Sequence, residues 1–440
     1  MGRSQAESAP EQLFAGIDLA SSNHGGTTTM RIVHVITRLI LGGAQENTLL
    51  TVEDLQHQYH DEVTLITGPA EGPEGDLFER ARKRELKVEV MSELLRPIRP
   101  WTDLRAYWKL RSAIRRLKPD VVHTHSSKAG ILGRAAAWHE RVPAVVHTIH
   151  GMPFGAFEGW LKNRLYITLE RWAAYRCHAI VSVCDAMTQQ ALAAGVGQPE
   201  QFLTVYSGMD TDAFLNPRRA REEVRRELGL ADDEVAFATV ARLFELKGHD
   251  DIVAVASAVL KANPKVRFVW IGDGVLRDRL IADLQARSIR HAFLLTGLVP
   301  PDRIPALLAG VDAVIHPSLR EGLARVLPQA LLVGRPVISY EIDGAREVVL
   351  PETGILLQPR DLPGLETAIL RLADDPSLRS TMGQEGRRRF ADQFRHETMT
   401  RQLRSLYERL LDVPGARTVD SARGRAAAER RKTANCSMEF

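Results

Sequence analysis

Three cysteines occur in 440 residues, and Cys177, Cys184 and Cys436 are spaced neither as metal ligands nor as a disulfide framework. That excludes a cysteine-built metal module and fits a reducing cytoplasm. No apolar run approaches the ~18 residues of a membrane span, and residues 1–29 lack the apolar core of a secretion signal. Neither sign of charge is in excess: 58 Lys and Arg face 55 Asp and Glu, a net +3 that is too small to argue for nucleic acid. A GxGxxG turn is also missing, as is an acidic residue clearly placed to mark a ribose, so a dehydrogenase is disfavoured. No short internal repeat occurs. What remains is an ordinary globular composition, 44% hydrophobic and 26% charged, with length for two or three domains.

The most informative stretch is 312–347. Val314–Ile315 close an apolar, strand-like run that breaks at Pro317–Ser318, and Glu321–Gly322 follow in a turn. Apolar residues then recur at helical spacing from Leu323 to Leu332, so a helix is expected to open just after Glu321. Gly334 to Pro336 stop it, and Val337–Ser339 begin another strand. A strand–turn–helix–strand unit of this kind builds a ligand site at the carboxyl edge of a parallel sheet. Glu321 and Gln329 are eight apart, about 80° around a helix at ~100° per residue, so both are expected to lean toward one ligand.

Read in order, residues 1–29 are small, polar and aperiodic, a disordered arm; Met30, just before the first strand, is an expected alternative start. Arg31–Thr37 is a buried-strand pattern and leads through Gly42 and Gly43 into a helix ending near Gln58. Such glycines let backbone N–H groups approach an anion, although they also serve merely to pack helix against sheet. Strands follow at Glu62–Thr67, Leu86–Val90, Val121–Thr124, Ala144–Ile149, Ala179–Val183 and Phe202–Tyr206, with helical patterns between most of them. This alternation predicts a parallel, doubly wound α/β sheet. His123, His125, His147 and His150 stand at strand ends; we read the alternating pairs as facing opposite sides of their strands. With no acidic or thiol partner repeated nearby, that reading argues against a metal. Arg96–Lys118 carries eight Arg and Lys, one Asp and three aromatics, and 160–176 has a similar mix. Both segments suit either an anionic membrane surface or a solvated basic face over anchored aromatics.

Tyr206–Asn216 is aperiodic and reads as a linker. Its Asp210-Thr211-Asp212 spells a metal-binding D-x-D but does not follow a strand, so that role is set aside. A second alternating set begins with Val235–Ala241 and continues at Val266–Ile271, Phe293–Thr296, Ala313–Ile315, Val337–Ser339 and Gly354–Leu357. Arg242 and Lys247, five apart at the first strand–helix junction, suit a diphosphate, Arg by its fork and Lys as a point charge. Gly272-Asp273-Gly274 forms another tight turn, and Asp343–Glu347 is expected at a helix N-terminus. Leu362–Phe390 is helical, 396–413 is an amphipathic last helix, and 414–440 reads as a basic disordered tail.

Glu321-Gly-Leu-Ala-Arg-Val-Leu-Pro-Gln329 resembles the E-x7-E segment of the retaining nucleotide-sugar glycosyltransferases of family 4 (group 1), and Arg242 through Lys247-Gly248 resembles their R-x4-K-G. The resemblance covers about Arg31 to Leu411 and departs from the pattern at Gln329. It implies the GT-B arrangement, two Rossmann-like parallel-sheet domains facing across a cleft. The acceptor-side domain would be 30–208, the donor domain 209–395, and the last helix would pack back on the first domain. In the roles implied, Arg242 and Lys247 hold the donor phosphates, Glu321 the sugar, Gln329 the ribose through its amide, and His150 the sugar from the opposite domain. Gly42, Gly43, Gly272, Asp273, Gly274, Gly322, Leu323 and Ala324 would line the donor, with backbone near Val299 meeting the base. Also implied are a UDP- or GDP-sugar donor, a sugar or lipid-linked acceptor, transfer with retention, and no metal or other cofactor. Polysaccharide or glycolipid assembly at the inner face of the cytoplasmic membrane would be the setting. Two alternatives stay open: a sugar-nucleotide 2-epimerase of the same shape, and a non-catalytic binding or scaffold protein, for which Gln329 leaves room.

Overall fold

The structure, a computed structural model, describes residues 29–70 and 75–412. The arm expected at 1–29, apart from its last residue, and the tail expected at 414–440 lie outside the described residues. Among the described residues, thirteen strands form two sheets. The first contains β1 (Arg31–Ile36), β2 (Glu62–Thr67), β3 (Lys87–Val90), β4 (Val121–His125), β5 (Ala144–Ile149), β6 (Ala179–Ser182) and β7 (Phe202–Thr204), in the order β3-β2-β1-β4-β5-β6-β7. The second contains β8 (Val235–Val240), β9 (Val266–Ile271), β10 (Phe293–Gly297), β11 (Ala313–His316), β12 (Val337–Tyr340) and β13 (Gly354–Leu357), in the order β10-β9-β8-β11-β12-β13. Every neighbouring pair is parallel.

The central strands are short and buried on both faces, as strands covered by helices must be: β4, β5, β6, β11 and β12 have no exposed residue. Both sheets wind outward in two directions from their first strand. That leaves a crevice at the carboxyl end of β1 and β4, and another at β8 and β11, where strand order reverses. All the residues singled out on the second sheet's first turn and on 317–325 fall at its crevice.

The last helix, His396–Asp412, returns to lie on the helix Gly43–His57 of the first sheet. Asp54 accepts from His396 Nδ1 at 2.8 Å and from Thr400 Oγ1 at 2.7 Å, while Arg404 pairs with buried Asp61 at 3.0 Å. Tyr407 reaches deeper, its hydroxyl 2.5 Å from His123 Nδ1.

Two segments differ from expectation. The aperiodic linker contains a one-turn helix, Thr211–Leu215, too short to display a period; Asp210 caps it by accepting from Ala213 N, and Asp212 pairs with Arg395. The run Leu362–Phe390 is two helices, Leu362–Asp374 and Pro376–Phe390. Pro376 has no N–H and forces Asp375 out of helical geometry, so the chain turns there.

Candidate active site

The turn after β11 is longer than its periodicity predicted. The helix spans Val326–Leu332, not Leu323–Leu332, and Glu321 precedes it in irregular chain. Pro328 explains the late start. In the first turn of a helix its missing N–H costs nothing, whereas in a helix opening at Gly322 its ring would meet the carbonyl of Ala324. Glu321 and Gln329 therefore do not share a helical face. Leu323 and Ala324 are buried, and the half-buried Gln329 amide has no side-chain partner among the described residues.

Glu321 is instead fixed by its neighbours. Its Oε1 lies 2.5 Å from Lys247 Nζ and 3.2 Å from His316 Nε2, and its backbone N–H donates to Asp343 at 2.8 Å. Burial works against its charge, but the bond to His316 and the Lys247 ammonium outweigh burial and hold its carboxyl at about 2. The structure thus joins Lys247 and Glu321 in one ion pair. Arg242 is exposed at the same turn, its guanidinium 4.7 Å from the Phe244 ring centroid. Gly272 follows β9 at φ 141°, and a Cβ there would stand 2.1 Å from the Ala241 carbonyl oxygen, so only glycine lets this turn lie against the Arg242 strand end. Asp273 accepts from Gly274 N at 2.8 Å. Val299 is placed apart: it lines a cavity of about 430 Å³ that shares no wall with Lys247 or Glu321.

On the facing sheet, His123 and His125 do not point to opposite sides. Residues two apart in a strand share a face, and their rings lie 4.3 Å apart between centroids, packed with His34 of β1. Among the described residues, His34, His123 and His125 are the one cluster with metal-ligand spacing, their ring nitrogens within 4.8 Å of one another. Those nitrogens are engaged in a hydrogen-bonded chain: His34 Nδ1 to His125 Nε2 at 3.0 Å, then His125 Nδ1 to His150 Nε2 at 3.0 Å. His34 Nε2 is buried without a partner. Orphaned buried N–H groups are rarer than orphaned acceptors, so the network assigns the bare lone pair to that end. His34 and His125 then each donate from Nδ1, and His150 carries its proton on Nδ1. Burial keeps the chain neutral, pushing His34 down to about 3, while burial and the Arg325 guanidinium push His150 to about 4.

The two halves meet at these residues. A Cβ on Gly322 would stand 2.6 Å from the His150 carbonyl oxygen, so the Glu321 turn lies directly on the end of β5. Arg325 crosses to the glycine turn, donating to Gly43 O at 3.1 Å and pairing with Glu46 at 2.9 Å; Gly42 precedes the helix there. Glu347 reaches the other way, accepting from Asp185 N and Ala186 N at 2.9 Å and from Tyr206 Oη at 2.9 Å. Asp343–Glu347 is a 3₁₀ turn whose carboxylates face its neighbours, not an exposed helix N-terminus. Sequence reasoning did not single out Arg320, Arg325 or His316, nor the bridging role of Glu347; arginines in turns leave no periodic signal, and His316 is hidden as the buried last residue of β11.

Beside the cleft, at the crevice of the first sheet, lies a cavity of about 460 Å³. Arg38, Arg96, Lys128, Lys162 and Arg320 line it against two carboxylates, Asp103 and Glu158. Lys128 pairs with Asp103 at 2.6 Å, and Glu158 with Lys162 at 2.7 Å and Arg320 at 2.9 Å. Ser126, in its wall, holds φ 65° and ψ 155°, a strained conformation for a residue with a side chain.

Two family models divide this chain as the two sheets do. Residues 41–213 match the model for Glycosyltransferase Family 4, and residues 220–389 match Glycosyl transferases group 1. The chain belongs to the family 4, group 1 glycosyltransferases. An Escherichia coli UDP-Gal:alpha-D-GlcNAc-diphosphoundecaprenol alpha-1,3-galactosyltransferase is 28% identical over 382 residues, 86% of this chain and 96% of that one. A Mycobacterium tuberculosis glycogen synthase is 27% identical over 70% of this chain and 75% of its own. Among solved structures, Anabaena HepE in complex with UDP-glucose superposes with a TM-score of 0.74 at 20% identity, covering 86% of this chain and all of HepE. The glycosyltransferase therefore has the GT-B fold, and the crevices of its two sheets face each other. Among its described residues no helix is long and apolar enough to cross a membrane.

Proposed function

We propose that the enzyme transfers a sugar, with retention and without a metal, from a UDP- or GDP-sugar to a hydroxyl of a lipid-linked acceptor in polysaccharide or glycolipid assembly. The observation that carries this reading is the Lys247–Glu321 pair seated against His150 across the cleft. Lys247 and Arg242 hold the diphosphate, and Glu321 accepts from the sugar's hydroxyls, its charge kept by Lys247 and His316. His150 offers its Nδ1–H to the sugar from the opposite wall, and the free Gln329 amide serves the ribose.

In the transfer, the bond from the anomeric carbon to the donor phosphate breaks as the acceptor oxygen bonds on the same face. The acceptor's proton passes to the departing phosphate oxygen. Negative charge grows on the diphosphate, and preorganised cations there lower the barrier. Arg325 and Glu347 hold the halves together over the reacting atoms, which excludes water.

The acceptor enters through the 460 Å³ cavity, and the surface around that cavity suits a lipid. Trp101 is 80% exposed and Trp160 70%. On the helix Pro100–Leu117, Trp101, Leu104 and Trp108 fall within about 60° of arc, with Arg105 beside them. On Trp160–Ala174, exposed Leu161, Leu165 and Trp172 fall within about 40°, with Arg164 alongside. Aromatic and aliphatic stripes edged by basic residues are the pattern of an interfacial surface on anionic lipid. The E. coli relative's acceptor, a diphosphoundecaprenol, points the same way.

A thermal-shift panel of UDP, GDP, ADP and their sugar conjugates, without added metal, tests the donor reading. One nucleotide at about a hundred times its Kd adds about 2.7 kcal/mol of stability, and Arg242→Ala abolishes the shift. Silence from every nucleotide contradicts it. For the membrane face, sedimentation with vesicles containing phosphatidylglycerol should capture the wild type and lose at least tenfold with Trp101→Ser/Trp160→Ser. Equal binding of that variant refutes the assignment.

A further inference from the structure

At the end of the donor domain opposite the cleft, a second cavity of about 380 Å³ is lined by Arg221, Arg335, Arg379 and Arg387, with Asp312 as its one carboxylate. Four guanidiniums around one small space is an expensive arrangement. Asp312 is hydrogen-bonded to Arg221 at 2.7 Å and Arg225 at 3.1 Å, so its one negative charge is shared among several guanidiniums. Backbone carbonyls engage a single terminal nitrogen on each of the rest: Arg335 donates to Ala309 O, Arg379 to Leu372 O and Ala373 O, and Arg387 to Leu215 O. A guanidinium has five N–H donors, so these contacts leave most of the donor capacity unused. Arg335 Nε is buried with no partner at all. Burial, followed by the charge of Arg221, pulls Arg335 down to about 10.

We infer that this cavity is a second anion site that binds a small phosphate ester or inorganic phosphate through Arg335, Arg379 and Arg387. Guanidinium forks match the paired oxygens of such groups. A volume of about 380 Å³ stands at the lower end of small-molecule pockets, of order 300–1,000 Å³. Gln384 and Ser380, hydrogen-bonded to each other at 3.1 Å, add neutral polar groups to the same wall.

The cavity adjoins the donor site through one element. Gly334 and Arg335 end the helix Val326–Leu332, whose other end is Arg325, the residue that crosses the cleft to Gly43. Seven residues span about 10 Å. Gly383 of the helix Pro376–Phe390 packs on the Gly334 carbonyl, where an added Cβ would meet oxygen at 2.1 Å. An anion that draws Arg335 and Arg379 together therefore acts on the base of the helix that carries Gln329. The inference stands without the transfer reaction, because none of these arginines lies in the cleft.

The test titrates inorganic phosphate, pyrophosphate and glucose 1-phosphate into the full-length protein, read by thermal shift and calorimetry. The same titrations use Arg387→Gln, whose side chain is exposed, Arg379→Gln, and Lys247→Ala as the control for the donor cleft. At least one of the three ligands should bind wild type and Lys247→Ala alike, and bind at least tenfold more weakly to Arg387→Gln and Arg379→Gln. A preference for glucose 1-phosphate identifies a sugar ester as the ligand, and equal affinity identifies the bare phosphate group. Binding that survives in both arginine variants but disappears in Lys247→Ala, or no binding in wild type, overturns the inference.

Discussion

Lys247→Ala lowers turnover by a hundredfold or more with saturating donor, and Arg242→Ala does the same. The scale is that of removing one preorganised charge donor from a developing oxyanion, about 2.7–4 kcal/mol. Lys247 has a second duty, because its ammonium is the closest partner of Glu321. Without it the carboxylate keeps only His316 at 3.2 Å and loses much of what outweighs its burial. Glu321 should then titrate above its present value of about 2, so the activity of Lys247→Ala should also acquire an acid limb that the wild type lacks over the same range. Lys247→Arg keeps the charge but not the compact point of contact, and should retain part of the loss. Steady-state kinetics over several pH values decide the matter. Near wild-type kcat in both alanine variants would sink the role assigned to this pair.

Mild acid should unfold the protein. Six histidines are held neutral by burial: His34, His150 and His249 are pushed down to about 3, 4 and 4, and His123, His125 and His147 well below the usual range. In the unfolded chain each titrates near ~6.5. Below that pH the unfolded state binds more protons than the native one, so stability falls as pH falls. Their contribution is complete above about 6.5 and is lost toward pH 4. Each such group contributes up to about 1.4 kcal/mol per pH unit, so six together remove several kcal/mol per unit. That is a large part of the ~5–15 kcal/mol that holds most domains. His396 runs the other way: burial opposes its charge, but Asp54 raises its pKa, so its share is present below ~6.5 and lost as pH rises through the folded value. One group does not balance six. Urea midpoints at pH 7.5, 6.5 and 5.5 should decline slowly at first and then steeply, with the native state lost before pH 5. An unchanged midpoint down to pH 5 would mean that the cluster takes up protons in place.

Much of the fold was legible because its signals are local. Strands such as Ile32–Ile36 and Val121–Val122 are mostly apolar and buried on both faces, and their alternation with helical patterns leaves a parallel doubly wound sheet as the consistent solution. The cation pair at Arg242 and Lys247 and the acid at Glu321 could be found for a related reason: each stands at the carboxyl end of a strand, where that topology places its ligands. Local signals also misled where one residue overruled a period. Pro328 cut the Val326–Leu332 helix short, and Pro376 split the run 362–390.

The sequence by itself determined two α/β units, their order along the chain and the turns that carry charge. Composition, period and turn chemistry act over a few residues and need no partner to be read. Tertiary structure alone decided that Lys247 closes on Glu321, that Arg325 and Glu347 cross the cleft, and that Tyr407 meets His123 from 284 residues away. It also decided that four arginines from three separate segments share one cavity. Pairing of charged and polar side chains depends on distance in space, and residues far apart in sequence carry no mark of it until the sheets bring them together.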